Sequence, residues 1–169
     1  MHHNSLIRMK NFKTEILRSP KFPKPLALPL GLIPSSVHST LLVQALNRIF
    51  RPELSDGDLD FLEDRIMVIR VTDARICYRL TLENGRLKAA QGTNPEDLTI
   101  EGTIYDFLLL ATRREDPDTL FFNRRLKLGG NTELGLYVKN FLDSLELEER
   151  LGPLLNVMDR TTGLIGRLA

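Results

Sequence analysis

The sequence contains no tryptophan, a single cysteine and three histidines among its 169 residues. A lone cysteine, Cys77, cannot form a disulfide within the chain, so we expect a protein of a reducing compartment, the cytoplasm. Because Cys77 falls in a predicted strand, its simplest role is that of a small core residue. Hydrophobic residues make up 42% of the chain and charged residues 27%, which is typical of one soluble globular domain.

Groups that could perform catalysis are scarce. His2 and His3 lie near the amino terminus, and His38 lies in a predicted first helical turn with no carboxylate or cysteine at metal-ligand spacing. The sequence has no glycine-rich phosphate loop, no G-x-S-x-G motif and no C-x-x-C motif. A hydrolase would need a nucleophile and a base, and the serines and histidines have no recognisable setting for that pairing. We therefore predict no enzyme, no catalytic residue and no metal site.

Two further classes of protein are disfavoured. The net charge of +1 and the aromatic content of 7% argue against a nucleic-acid-binding protein. Residues 25–47 carry no charge, but three prolines (Pro25, Pro29 and Pro34) argue against one continuous membrane-spanning helix. The same stretch lacks a clear signal-peptide cleavage site.

The composition divides the chain into three parts. Residues 1–34 form a basic, proline-rich arm, in which the first 24 residues hold six lysines and arginines and one acid. The arm is either a solvated tail or a contact with an anionic membrane surface. Residues 35–146 form the predicted domain, and residues 147–169 form an amphipathic helical tail.

Hydrophobic periodicity predicts an α+β domain. A helix capped by Ser35 or Ser36 carries a wide apolar face that includes Leu41, Leu42, Ala45 and Leu46. A change to period two then predicts a four-strand meander with a hairpin turn at Asn84-Gly85 and a fourth strand ending at Gly102. Three further helices, capped by Thr103, Asp116 and Asn131, follow, with a fifth strand at residues 126–128 before the last of them. The expected architecture is a five-stranded, mainly antiparallel sheet with helices on one face.

The predicted helices offer more apolar surface than one sheet face can bury. The helix over residues 104–111 is apolar nearly all round, so it should be buried on several sides. The surplus fits either a well-filled core or a hydrophobic cavity that holds a ligand. A protein-interaction subunit, which docks through its apolar tail and needs no ligand, is a third interpretation.

Three segments occur in order that resemble a known lipid-binding domain: residues 98–112 (LTIEGTIYDFLLLAT), 116–135 (DPDTLFFNRRLKLGGNTELG) and 137–145 (YVKNFLDSL). Together they are similar to the sterol-carrier-protein family and, more narrowly, to bacterial accessory factors of ubiquinone biosynthesis built around that domain. The resemblance covers about residues 37–145. It implies a layered domain that encloses an apolar lipid tunnel.

The resemblance also implies an accessory role in oxygen-independent ubiquinone synthesis, beside partner proteins that perform the hydroxylations. The ligand would be a prenylated quinone precursor or a phospholipid such as phosphatidic acid, with no other cofactor. The protein would be cytoplasmic and peripheral to the inner membrane.

Candidate site residues follow from placing the apolar faces around such a ligand. The predicted tunnel lining consists of Leu42, Leu46, Phe107, Leu108, Phe121, Phe122, Val138, Phe141 and Leu142, with Phe121 and Phe122 facing the interior. Arg124, Arg125 and Lys127 are candidates for binding a lipid phosphate at the cavity mouth. Equally, these three cations could form the outward face of a strand.

Overall fold

The computed structural model describes residues 35–145 of the chain. The predicted arm, the predicted tail and the side chains of His2, His3 and His38 lie outside the described part. The elements in chain order are α1 (Ser35–Ile49), α2 (Arg51–Asp56), a 3-10 turn (Asp60–Leu62), β1 (Met67–Val71), β2 (Ile76–Glu83), β3 (Arg86–Ala89), β4 (Leu98–Gly102), α3 (Ile104–Ala111), α4 (Pro117–Phe122), β5 (Lys127–Gly130) and α5 (Thr132–Ser144).

The five strands form one sheet in the order β3-β2-β1-β4-β5. Three of the four pairings are antiparallel, and β1 with β4 is parallel. The α+β class and the mainly antiparallel sheet are therefore confirmed.

The predicted four-strand meander is wrong. In a meander β4 would pair with β3, whereas here it pairs with β1 on the far side of the β2–β3 hairpin. Residues 90–97 carry the chain back across the sheet, and Arg79 on β2 donates a hydrogen bond to the carbonyl of Asn94 in this crossover, at 2.5 Å. Strand alternation predicts where strands lie but not which strands become neighbours.

The pleat of the sheet separates an apolar face from a polar one. Met67, Ile69 and Val71 point to the face covered by helices, together with the residues that pair with them on β2 and β4. The opposite face carries the cross-strand row Cys77, Arg70, Glu101 and Lys127.

Cys77 is exposed on that polar face, so its predicted core role is wrong. The alternation that buries Ile76 and Leu80 turns Cys77 outward.

Helices α1 and α5 meet over the apolar face. The ring of Phe50, just after α1, packs edge-on against the ring of Phe141 of α5, with centroids 5.3 Å apart. Asn47 of α1 bonds both backbone groups of Leu87 on the edge strand β3, at 2.8 Å to its carbonyl and 3.0 Å from its N–H. Within residues 35–145, no helix combines the length and apolar character that crossing a membrane requires.

The predicted local signals are confirmed at four places. Asn84 and Gly85 have φ values of 53° and 69°, as the hairpin turn requires. Thr103, Asp116 and Asn131 each cap the helix that follows. The apolar face of α1 differs from its prediction, because Leu41 is 62% exposed and Ala45 is exposed as well.

Gly130 combines a φ of +91° with a position where a Cβ would collide with the Asp97 carbonyl oxygen. Gly92 has a similar φ of +88°, but a Cβ added there would meet nothing within 4 Å. We expect Gly92→Ala to cost about 1 kcal/mol of unfolding free energy through its backbone conformation alone. Gly130→Ala should cost clearly more, because the neighbouring backbone must shift as well. Urea unfolding of both variants measures the difference, and equal losses would show that the contact with Asp97 has no consequence.

Candidate functional site

Helix α3 is held firmly at its amino end. Thr103 accepts a hydrogen bond from the Asp106 N–H at 3.2 Å, and the Asp106 carboxylate accepts one from the Thr103 N–H at 3.1 Å. Asp73, in the turn after β1, accepts the Ile104 N–H at 3.0 Å. A Cβ at Gly102, just before the helix, would lie 2.6 Å from the buried side chain of Leu126, which would have to move. The backbone N–H groups of Thr103, Ile104 and Asp106 at this helix start are thus satisfied by side chains of the protein itself.

A buried ion pair joins α3 to the turn before β5. The Nε and Nη2 atoms of Arg125 lie 2.8 Å and 2.7 Å from Oδ1 of Asp106, and the Asp106 side chain is only 2% exposed. Arg125 also lies over the ring of Tyr105, 5.4 Å from its centroid. The pair fixes the distance between α3 and the segment that leads into β5.

The three cations predicted to bind a headgroup lie around one cleft of about 470 Å³. Glu101, Asp106 and Glu115 line the same cleft, so its formal charges balance. Arg125 is already bound by Asp106, and Lys127 lies 3.8 Å from Glu101. The cleft is therefore not a strongly cationic anion site. The headgroup role of Arg124, Arg125 and Lys127 stays a prediction.

The turn between α4 and β5 has a defined backbone. The Arg124 N–H donates to the Phe121 carbonyl and the Arg125 N–H to the Leu120 carbonyl, at 3.0 Å and 2.9 Å. This pattern ends a helix with one left-handed residue, and Arg124 takes that position with φ +57°. Lys127 lies exposed on β5, as the alternative prediction of an outward-facing strand requires. Arg124 and Arg125 instead belong to the turn before β5.

Phe122 does not face the interior, contrary to its prediction. Its side chain is 89% exposed, whereas Leu120 is completely buried and Phe121 is partly buried. Residues two apart on a helix point about 200° apart, so burying Leu120 turns Phe122 outward. Phe121 and Phe122 line a second, open cavity of about 440 Å³, beside the Lys139–Asp118 ion pair. Asp118 raises the pKa of Lys139 through a hydrogen bond.

The helix-covered face of the sheet is incompletely buried at its centre. Ile69 and Tyr78 are cross-strand partners on this face, and both are only half-buried. Val68, which points to the opposite face, is fully buried. Burial raises the pKa of Tyr78, which fits a hydroxyl in apolar surroundings. We name Ile69, Tyr78 and Phe107 the central apolar patch.

Most of the predicted lining residues gather around one apolar cluster. Val138 and Phe141 are buried in it, and Leu46, Phe107 and Leu142 pack against it while half-buried. Phe121 packs instead with Leu109, Leu120 and Leu126. Leu42 and Leu108 are half-buried on α1 and α3.

Ile69 and Tyr78 are not among the site residues predicted from the sequence. The alternation of β1 and β2 places both on the apolar face but does not show that they stay half-buried. The two cavities described above are not formed by the central apolar patch, so an enclosed tunnel stays a prediction.

Comparison with known proteins identifies the domain. The model of the SCP-2 sterol transfer family matches residues 43–143. The ubiquinone biosynthesis accessory factor UbiT of Escherichia coli (strain K12) is 42% identical over 127 residues, which are 75% of this chain and 72% of that protein. The solved structure of a UbiJ-SCP2 ubiquinone synthesis protein superposes with a TM-score of 0.51 at 14% identity, covering 64% of this chain and 95% of that one. The structural likeness shows a shared fold. An accessory factor and a lipid-transfer family are both non-catalytic kinds of protein, so the prediction of no enzyme is confirmed.

The buried ion pair generates the second prediction. Arg125→Met should lower the unfolding free energy by about 3–5 kcal/mol, because it leaves the carboxylate of Asp106 buried without its partner. Adding Asp106→Asn should restore part of that loss by removing the unpaired charge. Urea unfolding measures both variants, with Lys139→Met as the control that breaks the exposed pair with Asp118 and should change the midpoint little. A double variant no more stable than Arg125→Met alone would contradict this account.

Proposed function

Because the chain belongs to the SCP-2 sterol transfer family, we propose that it is a lipid-binding protein that holds an apolar chain against the helix-covered face of its sheet. The observation that carries the proposal is the half-burial of Ile69 and Tyr78 at the centre of a face whose flanking positions are buried. A core that had only to be filled would bury the central strand first. The partial exposure there leaves apolar surface for a ligand to cover.

Apolar contact supplies the main driving force for retaining such a ligand. Each methylene that leaves water contributes about 0.8 kcal/mol, so about ten methylenes contribute about 8 kcal/mol, from which the entropic cost of association is subtracted. Leu46 and Leu142 pack, half-buried, against the same apolar cluster as Ile69 and Phe107 of the central apolar patch and supply further contacts.

The biological role that we propose is that of an accessory factor in oxygen-independent ubiquinone biosynthesis. The relative that is 42% identical to this chain is named a ubiquinone biosynthesis accessory factor, which supports the biosynthetic role, and independence from oxygen is part of the proposal. The ligand would then be a prenylated quinone precursor or a phospholipid such as phosphatidic acid, presented to partner proteins that modify the quinone ring. This role places the protein in the cytoplasm, at the surface of the inner membrane.

The first test is native mass spectrometry of the purified full chain. We expect a copurifying lipid that is released only on denaturation and that mass analysis of the extract identifies. The competing function is a docking subunit that needs no ligand. A protein that is free of lipid and gains mass only with a protein partner would support that function and overturn ours.

The second test fills the proposed site. Ile69→Phe should reduce copurified lipid several-fold and leave the unfolding free energy of the delipidated protein nearly unchanged, because the larger side chain enters space that the ligand occupies. Val68→Phe, one residue away at a fully buried position on the opposite face, is the matched control and should cost about 1–3 kcal/mol through overpacking. If Ile69→Phe destabilises the protein as much as Val68→Phe does, the centre of the face is a filled core.

A further inference from the structure

The turn between α4 and β5 presents an aromatic side chain to solvent at a fixed position. We define the α4–β5 tip as Phe122, Asn123, Arg124 and Lys127. Among the described residues, Phe122 is the most exposed large hydrophobic side chain, at 89%. Its neighbour Leu120 is fully buried and anchors the short helix beneath it.

The backbone of the tip is held in an unusual conformation. Glycine is the usual residue at the left-handed position of this helix ending, because a Cβ is disfavoured there. Arg124 occupies it with φ +57°. Its N–H and those of Arg125 and Leu126 all donate to carbonyls of α4.

The charges around Phe122 favour an anionic partner. From residue 119 to residue 132 the sequence has three cations and no acid. Arg125 turns inward to Asp106, so Arg124 and Lys127 remain on the outside. Lys127 is mostly exposed, with Glu101 at 3.8 Å, and Arg124 forms no ion pair with any residue from 39 to 145. Two acids near the tip are engaged, since Asp118 pairs with Lys139 at 2.7 Å and Asp116 caps α4, whereas Glu115 lines the cleft beside Arg124.

We propose that the α4–β5 tip docks the protein on an anionic lipid surface, with Phe122 inserted at the headgroup level and Arg124 and Lys127 above it. One aromatic ring covers at most about 250 Å², far below the roughly 1,000 Å² that a specific protein interface needs, whereas a bilayer requires only an anchor and cations. The proposal rests on the proposed function, because a lipid carrier must take its ligand from a membrane.

The absence of tryptophan from the chain permits a direct test. Phe122→Trp introduces the only tryptophan at the tip, and Leu41→Trp introduces it at an exposed apolar position on α1 as the matched control. With vesicles of phosphatidylcholine and phosphatidylglycerol, the Phe122→Trp emission should shift to shorter wavelength and be quenched by lipids brominated in their acyl chains. The Leu41→Trp emission should stay unchanged, and vesicles of phosphatidylcholine alone should affect neither.

Two full-chain variants separate the contributions of ring and charge. Phe122→Ser should abolish most of the cosedimentation with the anionic vesicles. Arg124→Gly should weaken it about fivefold, the effect of one cation near the surface, without loss of stability, because glycine suits the left-handed position.

The proposal is overturned if vesicles sediment the protein without changing the Phe122→Trp emission, or if no binding occurs. It is also overturned if that emission responds only to a protein partner. Copurified lipid is measured on the same variants to keep the two proposals distinct. If docking fails while lipid is retained, the docking proposal is overturned and the lipid-binding proposal is not.

Discussion

The ion pair between Asp106 and Arg125 is the constraint on which the described site depends. Asp106 serves the start of α3 and the turn before β5 at the same time, through different carboxylate oxygens. One buried carboxylate thus sets the position of α3 beside the sheet and directs Arg125 inward. Because Arg125 is directed inward, its neighbour Arg124 and the ring of Phe122 lie on the outer side of the same turn. The interior apolar contacts of Phe107 and the exposed tip therefore share one polar anchor.

Local chemistry in the sequence predicted the elements well and their arrangement less well. Asn84-Gly85 requires positive φ angles, and Thr103 with Asp106 satisfies a helix start, so both could be identified from a few adjacent residues. The neighbour of β4 could not be identified this way, because parallel pairing with β1 depends on contacts about 30 residues apart in the chain. The alternation of apolar and polar residues along a strand also does not show which segment of the chain covers each face of the sheet. Cys77 was misplaced although its strand was identified correctly.

The candidate site could likewise be predicted where a few adjacent residues decide the structure, and could not be predicted where distant contacts decide it. The cluster around Val138 and Phe141 could be predicted because a helical stripe of apolar residues must be buried. Phe122 has the same character as Phe121, and only the orientation of a six-residue helix separates them. The balanced charge of the cleft was equally hidden, since Glu101 and Glu115 are distant in sequence from the three cations that they face. Ile69 looked like any strand residue, and alternation gives no sign that it stays half-buried.

The hydrogen bonds between Asn47 and Leu87 also bear on aggregation, in which many copies of the chain associate. The outward backbone groups of an edge strand are the groups on which another extended chain would build a continuous sheet. On β3 the side-chain amide of α1 already occupies those of Leu87, at its N–H and at its carbonyl. Among the described residues the other outer strand is β5, which is short and carries Lys127. Strand-by-strand aggregation is thus opposed at both edges of the sheet. At β3 the hydrogen bonds from Asn47 oppose it, and at β5 the short length of the strand and the charge of Lys127 do so.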